Sequence, residues 1–230
     1  MEKVGARPQP CPRPAEVPPS AATRVRRHPE RAAYDRESIE AILDEGLIGH
    51  VGFASEGRPY VMPMLYARSG DQLYLHGSRN SRLLTALADG APLCFTATLV
   101  DGLVLARSAF RHSLNYRSVV VLGQGRAVGD SEEKQAALRS LVEHVMSGRW
   151  SQVREPSAAE LKVTEVVALD LREASAKARS GPPSDNPDDY SLPVWAGVLP
   201  LGLAVQAPIP EARCQAPEPP ELAAYRRGHA

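Results

Sequence analysis

Apolar positions recur at helical spacing in three stretches of this chain. After Asp35-Arg36-Glu37-Ser38, the residues Ile39, Ile42 and Leu43 share one helical face, and Gly46 is a natural stop. Asp130-Ser131-Glu132-Glu133 reads as a capping box, with Ala137, Leu138, Leu141, Val142 and Val145 following at helical spacing until Gly148. A third helix is predicted from about Ser78 to Ala88, with Leu83, Leu84 and Leu87 on one side and Asp89-Gly90 at its end.

Strand patterns fill the rest. Residues 48–54 (IGHVGFA), 59–67 (PYVMPMLYA) and 72–76 are joined by the short turns 55–58 and 69–71, which describes an antiparallel meander. Residues 91–99 (APLCFTATL) predict a fourth strand, and Asp101-Gly102 a hairpin-type turn into a fifth at 103–109. The β-branched run at 114–123 continues through 125–128, residues 163–171 form another strand, and residues 193–203 carry Trp195 back onto the body. Tight turns and the lack of βα alternation exclude a doubly wound parallel sheet. The prediction is a mainly β fold: a six- to seven-stranded antiparallel β-barrel, closed or nearly so, with flanking helices. Pro63 lies inside a strand and cannot donate to a ladder, so it marks an edge or a place where a ligand replaces the neighbour.

Composition refines this picture. The chain has 230 residues and 21 prolines, and the prolines crowd into the two ends. Residues 1–23 and 207–230 are therefore expected as Pro-rich tails around one folded domain, residues 24–206. The formal net charge is zero, which argues against nucleic acid and against a polybasic membrane anchor. No apolar stretch is long enough to span a bilayer, and the N-terminus lacks a secretion-signal pattern. Cys11, Cys94 and Cys214 form no CxxC pair, so a disulfide framework and a thiolate metal site are not expected and a reducing cytoplasm is.

Candidate chemistry concentrates at Tyr74-Leu75-His76-Gly77-Ser78-Arg79-Asn80-Ser81-Arg82-Leu83-Leu84, where a strand gives way to a helix. A helix start offers unpaired N–H groups and favours an anion. Gly77 permits close approach, Ser78 and Ser81 supply hydroxyls, and Arg79 or Arg82 supplies charge, each contact to a phosphate contributing about 1.5–3 kcal/mol. An ordinary N-cap with solvated arginines is the alternative. Neither GxGxxG nor GxxxxGK[ST] is present.

Gly-Arg-Pro-Tyr-Val-Met-Pro-Met at 57–64, Leu-Tyr-Leu-His-Gly-Ser at 73–78, Ser-Arg-Leu-Leu at 81–84 and Asn-Tyr-Arg-Ser-Val-Val-Val at 115–121 occur in this order. Together they resemble the pyridoxamine 5′-phosphate oxidase-like family of FMN-binding split β-barrels, nearest its nitroimidazole-resistance-like flavoproteins. The resemblance spans about residues 24–205, with Arg27–Arg31 and Pro193–Gly197 near its ends. It implies a homodimer holding FMN at the subunit interface. Val61, Met62, Pro63 and Met64 would lie against the isoalloxazine ring, and His76, Gly77, Ser78, Ser81 and Arg82 would surround the phosphate. Tyr116, Arg117 and Ser118 would complete the pocket, with Trp195 near the flavin or across the dimer. Each has a plainer alternative: a satisfied barrel-end His76, Met62 and Met64 on a core face, a packed Tyr116.

The arginine- and lysine-rich substrate motifs of the pyridoxine-biosynthetic oxidase and its C-terminal arginine ending are missing, so vitamin B6 oxidation is not implied. The resemblance instead implies an FMN-dependent oxidoreductase acting on a small, aromatic or nitro-bearing molecule, with a nicotinamide electron donor. Tyr60, Tyr66, His76 and Trp195 are the candidate substrate contacts, and no catalytic proton donor is named. The alternatives are a flavin-sequestering protein without turnover and a haem-binding split barrel with His50 or His112 as axial ligand.

Overall fold

The computed structural model of the protein describes residues 17–227. The expected tail at residues 1–16 lies outside that range; of the rest of it, Thr23 is already buried. The described residues form ten strands and five α-helices: β1 Ala32–Ala33, α1 Arg36–Glu45, β2 Ile48–Ser55, β3 Arg58–Ser69, β4 Gln72–Ser78, α2 Arg82–Ala88, β5 Pro92–Leu105, β6 Ser113–Gln124, β7 Arg126–Ala127, α3 Ser131–Val145, α4 Ala158–Val163, β8 Thr164–Asp170, β9 Ala174–Arg179, β10 Gly197–Pro200 and α5 Pro220–Ala224. Every pairing is antiparallel, in the order β1-β9-β6-β5-β2-β3-β4-β8-β7, with β10 added to β5. The fold is the expected mainly β split barrel, an open sheet rather than a closed one.

The split follows from β3. Its residues 58–65 pair with β2, and residues 66–69 pair with β4 instead. Pro63 sits opposite His50 on the first of these segments, where β4 does not reach, so its missing N–H interrupts no ladder. The β2–β3 turn places Glu56 and Gly57 at φ 51 and 72, the two-residue turn whose twist suits a hairpin.

Alternating side chains of the strands fill the barrel: Val51, Phe53, Leu73, Leu75, Phe95, Val119, Val121, Val167 and Leu169 are buried together. Helix α1 closes one end through Ile39, Ile42 and Leu43, and α2 adds Leu83, Leu84 and Leu87. Each such leucine contributes about 1.5–3 kcal/mol on burial. A second, smaller core lies outside the barrel, where Ala137, Leu138 and Leu141 of α3 meet Ala67, Tyr74, Val166 and Ala168.

Several sequence expectations are corrected. Asp101-Gly102 is not a hairpin turn: β5 runs straight through it, and the register against β6 shifts between Val100 and Gly102 as a bulge. The extra residue, Asp101, turns its carboxylate onto Arg117. Helix α2 begins at Arg82 rather than Ser78, because β4 continues to Ser78 opposite Thr164. The strand expected to continue through 125–128 breaks at Gly125, and β7 pairs with β8 instead. A Cβ at Gly125 would meet the Leu87 carbonyl at 2.6 Å, so this crossing needs glycine. At the other end of the chain, residues 207–219 form no helix or strand and include a turn at 211–214, while α5 follows and leads the chain back onto α1 and α3.

Candidate functional site

The two faces of β4 lead to two different places. Leu73, Leu75 and Gly77 face the barrel, where a Cβ on Gly77 would meet Leu84 at 2.9 Å. Tyr74 and His76 face the other way, toward α3. There a cleft of about 560 Å³ is lined by His76 and Leu65 on one side and Leu138, Leu141, Val142 and Val145 of α3 on the other. Arg149, Trp150, Arg154 and Glu160 form its rim. This size is ordinary for a cofactor or ligand pocket.

His76 is the histidine that lines that cleft. Its Nδ1 is buried without a hydrogen-bond partner among the described residues, and burial lowers the imidazole pKa below its ordinary value. The ring is therefore neutral at physiological pH with a nitrogen uncommitted, the state in which histidine ligates a metal. Arg154 is held at the rim by a two-pronged pair with Glu160 at 2.8 and 2.9 Å, and Arg149 donates to Gln152 at 3.0 Å. An apolar wall, an imidazole nitrogen without a partner among the described residues, and guanidinium groups at the mouth, of which Arg154 is held by Glu160, are the kinds of group that would meet a haem's ring, iron and carboxylates. The chain's own residues thus fit that group.

The second place is the β4–α2 junction. Ser81 is the N-cap of α2, yet its hydroxyl makes no capping bond, and Ser78 accepts from the Asn80 N–H at 3.3 Å. Arg79 is tied to Glu165 and to the Lys162 carbonyl. Arg82 has no carboxylate partner among the described residues, and its guanidinium lies over the Tyr60 ring, 5.2 Å from the centroid. That contact joins α2 to β3, where Val61 (65% exposed) and Met62 (46%) face solvent and Met64 packs against the barrel core.

The remaining expected residues are not brought to this junction within one chain. Strand β6 is separated from β3 by β5 and β2. Tyr116 is half-buried there, and Ser118 donates to the Lys177 carbonyl. Arg117 is clamped between Glu45 and Asp101, which hold its charge firmly and raise its pKa. Trp195 is 69% exposed, its ring against Gly197 just before β10. Of the two histidines considered for haem, His50 is exposed on β2 and His112 bonds the Ser108 carbonyl through Nδ1; neither lines the cleft. Sequence reasoning missed Arg149, Trp150 and Arg154. Their only signal is an arginine–aromatic cluster just after a helix, which spacing alone does not distinguish from a solvated loop.

A helix-walled cleft on the outside of an antiparallel split barrel defines the class of protein. A family profile described as pyridoxamine 5′-phosphate oxidase matches residues 35–178. The chain belongs to the pyridoxamine 5′-phosphate oxidase family. Among solved structures it is similar to the flavocytochrome Anf3 from Azotobacter vinelandii, with 40% identity and a TM-score of 0.87 over 93% of this chain and 100% of that one. It is also similar to the FAD and heme binding protein from Mycobacterium smegmatis, with 32% identity and a TM-score of 0.82 over 86% of this chain and 98% of that one. A putative 5-nitroimidazole antibiotic resistance protein from Bacteroides thetaiotaomicron matches at 25% identity and a TM-score of 0.54, over 64% of this chain and 85% of that one. No curated protein matches the sequence.

Proposed function

We propose that this protein is a homodimeric flavin-dependent oxidoreductase that also holds a haem in the cleft between β4 and α3, with His76 as the iron ligand. The observation that carries the haem is the Nδ1 of His76, buried and without a partner among the described residues, in an apolar cleft rimmed by Arg149 and Arg154. Similarity to a flavocytochrome and to an FAD- and heme-binding protein supports it. Flavin exchanges one or two electrons and haem iron exchanges one, so the pair suits stepwise electron transfer to a small molecule, with a nicotinamide as donor.

The flavin is FMN on the motifs, with Ser78, Ser81 and Arg82 at its phosphate and Val61–Met64 along its ring. FAD is the second reading, favoured by the mycobacterial relative. A second copy of the chain suits the exposed apolar face that carries Ile48 (56% exposed) and Val61, and would bring Tyr116, Ser118 or Trp195 to a shared site.

The test starts from protein as purified. Acid-released flavin, separated by chromatography, distinguishes FMN from FAD. Haemin added to the protein gives a Soret band that His76→Ala loses and that His50→Ala and His112→Ala keep. A band unchanged in His76→Ala overturns the haem assignment. Reduction of the bound flavin by NADH or NADPH, followed by reoxidation by an added acceptor, separates an oxidoreductase from a protein that only sequesters flavin.

A further inference from the structure

Helix α1 ends badly by itself. Its last residues are Asp44 and Glu45, no basic residue stands in its last turn, and its terminal carbonyls carry the negative end of the dipole. Arg227, 182 positions along the chain from Glu45, supplies what is missing. Its Nε donates to the Glu45 carbonyl at 3.0 Å, and its Nη2 donates to the carbonyls of Asp44 at 3.1 Å and Gly46 at 2.9 Å. Nη1 donates to the His144 carbonyl in the last turn of α3. One guanidinium thus caps two helices. Tyr225 adds a bond from its hydroxyl to the Val145 carbonyl at 2.8 Å.

A titratable ring sits in the middle of this contact. His144 Nε2 is 2.8 Å from Arg227 Nη2 and 2.6 Å from the Gly46 carbonyl. A neutral ring with its proton on Nδ1 accepts from Arg227 at Nε2, whereas the cation carries a proton on both nitrogens, so that Nε2 can only donate to Gly46 and opposes the guanidinium in both charge and hydrogen-bond sense. The groups facing the ring are Arg227 from the tail, Asp44 from α1, and Arg68 and the Tyr66 ring from β3. Burial opposes the protonated form, as do Arg227 and Arg68; the Gly46 carbonyl and Asp44 favour it.

We propose that residues 220–227 are a proton-released latch, in which Arg227 clamps the ends of α1 and α3 while His144 is neutral and leaves when the ring takes up a proton. Burial and Arg227 depress the His144 pKa in the latched state. Latching is therefore complete above the ordinary histidine value of about 6.5 and is lost as pH falls through the depressed one. Val142 and Val145 line the cleft, so release also frees one wall of it.

Hydrogen–deuterium exchange of the full chain, read by mass spectrometry at about pH 8 and about pH 5 and corrected for intrinsic exchange, tests this without any cofactor. Residues 221–227 and 141–146 are protected at the higher pH and exchange about tenfold faster at the lower one. His144→Gln, whose amide oxygen still accepts from Arg227, keeps both segments protected at both pH values. Arg227→Ala leaves them unprotected at both. Equal protection of the parent at the two pH values, a tail unprotected at the higher one, or His144→Gln releasing as the parent does overturns the latch. Because the readout is haem-free, failure of the haem reading does not affect it.

Discussion

The hydroxyl of Tyr66 donates to the carbonyl of Leu43 over 2.8 Å, tying the centre of β3 to the last turn of α1 inside the barrel. The Tyr66 ring also meets Phe95 edge-on, with centroids 5.0 Å apart. Tyr66 is fully buried, so it is a core residue in this chain rather than a substrate contact. Burial, with Asp44 adding to it against Arg227, raises its phenol pKa far above the ordinary value, and the proton stays in place as a donor. Tyr66→Phe leaves the Leu43 carbonyl unpaired and is expected to cost about 1–2 kcal/mol. Urea unfolding of parent and variant checks this; an unchanged midpoint would mean that water reaches the carbonyl.

Arg117 is expected to act as a structural residue. Truncating it to methionine leaves Glu45 and Asp101 facing each other near the barrel end without their shared cation. Removing one member of a buried ionic cluster costs about 3–5 kcal/mol when fully buried, and these side chains keep some solvent access. A loss of about 2–3 kcal/mol in denaturant unfolding is therefore expected, with flavin affinity per folded molecule unchanged. Flavin binding that falls while stability holds would assign Arg117 to the anion instead.

Arg82 and Arg79 should behave differently. Arg79 is already paired with Glu165, whereas Arg82 lies over Tyr60 with no carboxylate partner among the described residues. On the proposed flavin site, Arg82→Ala raises the flavin dissociation constant about tenfold or more, as for loss of one charge-assisted contact. Arg79→Ala changes it little. Fluorescence titration with FMN measures both, and equal effects of the two substitutions would sink the phosphate assignment.

Acid should leave the start of α4 intact longer than most carboxylate contacts. The Arg154 guanidinium and the Ser157 N–H hold the Glu160 carboxyl down to about 2. A depressed carboxylate contributes above its ordinary pKa and loses that contribution as pH falls through the lowered one. An NMR titration of Glu160 is expected near 2, rising toward the ordinary value of about 4.3 in Arg154→Ala. A normal midpoint in the parent would show that the pair does not persist in solution.

Much of the barrel was legible because its periods are local. Alternation along β2 to β6 and the i, i+3, i+4 stripes of α1 and α3 report directly which side faces the core. What escaped was decided by distant partners. Asp101-Gly102 has the letters of a turn, but β6 pairs with β5 on both sides of it and turns the reversal into a bulge. The capping box expected at Asp130 is half made: Asp130 caps the Glu133 N–H, while Glu133 turns to Arg126 and Tyr74. A complete box formed unannounced at Ser157 and Glu160. At the candidate sites, the motif at 74–84 carries the strand end and the helix start expected of it. It did not reveal that His76 and Gly77 look in opposite directions, a fact any strand imposes on neighbours.

Because β3 belongs to both halves of the molecule, its register cannot change for one half alone. A slip by a single residue would drive Tyr66 out of the interior and swing Leu65 in from the cleft. Insertions and deletions in this strand should therefore be among the least tolerated anywhere in the chain, while the exposed residues 202–218 between β10 and α5 are free to drift in length as related sequences diverge.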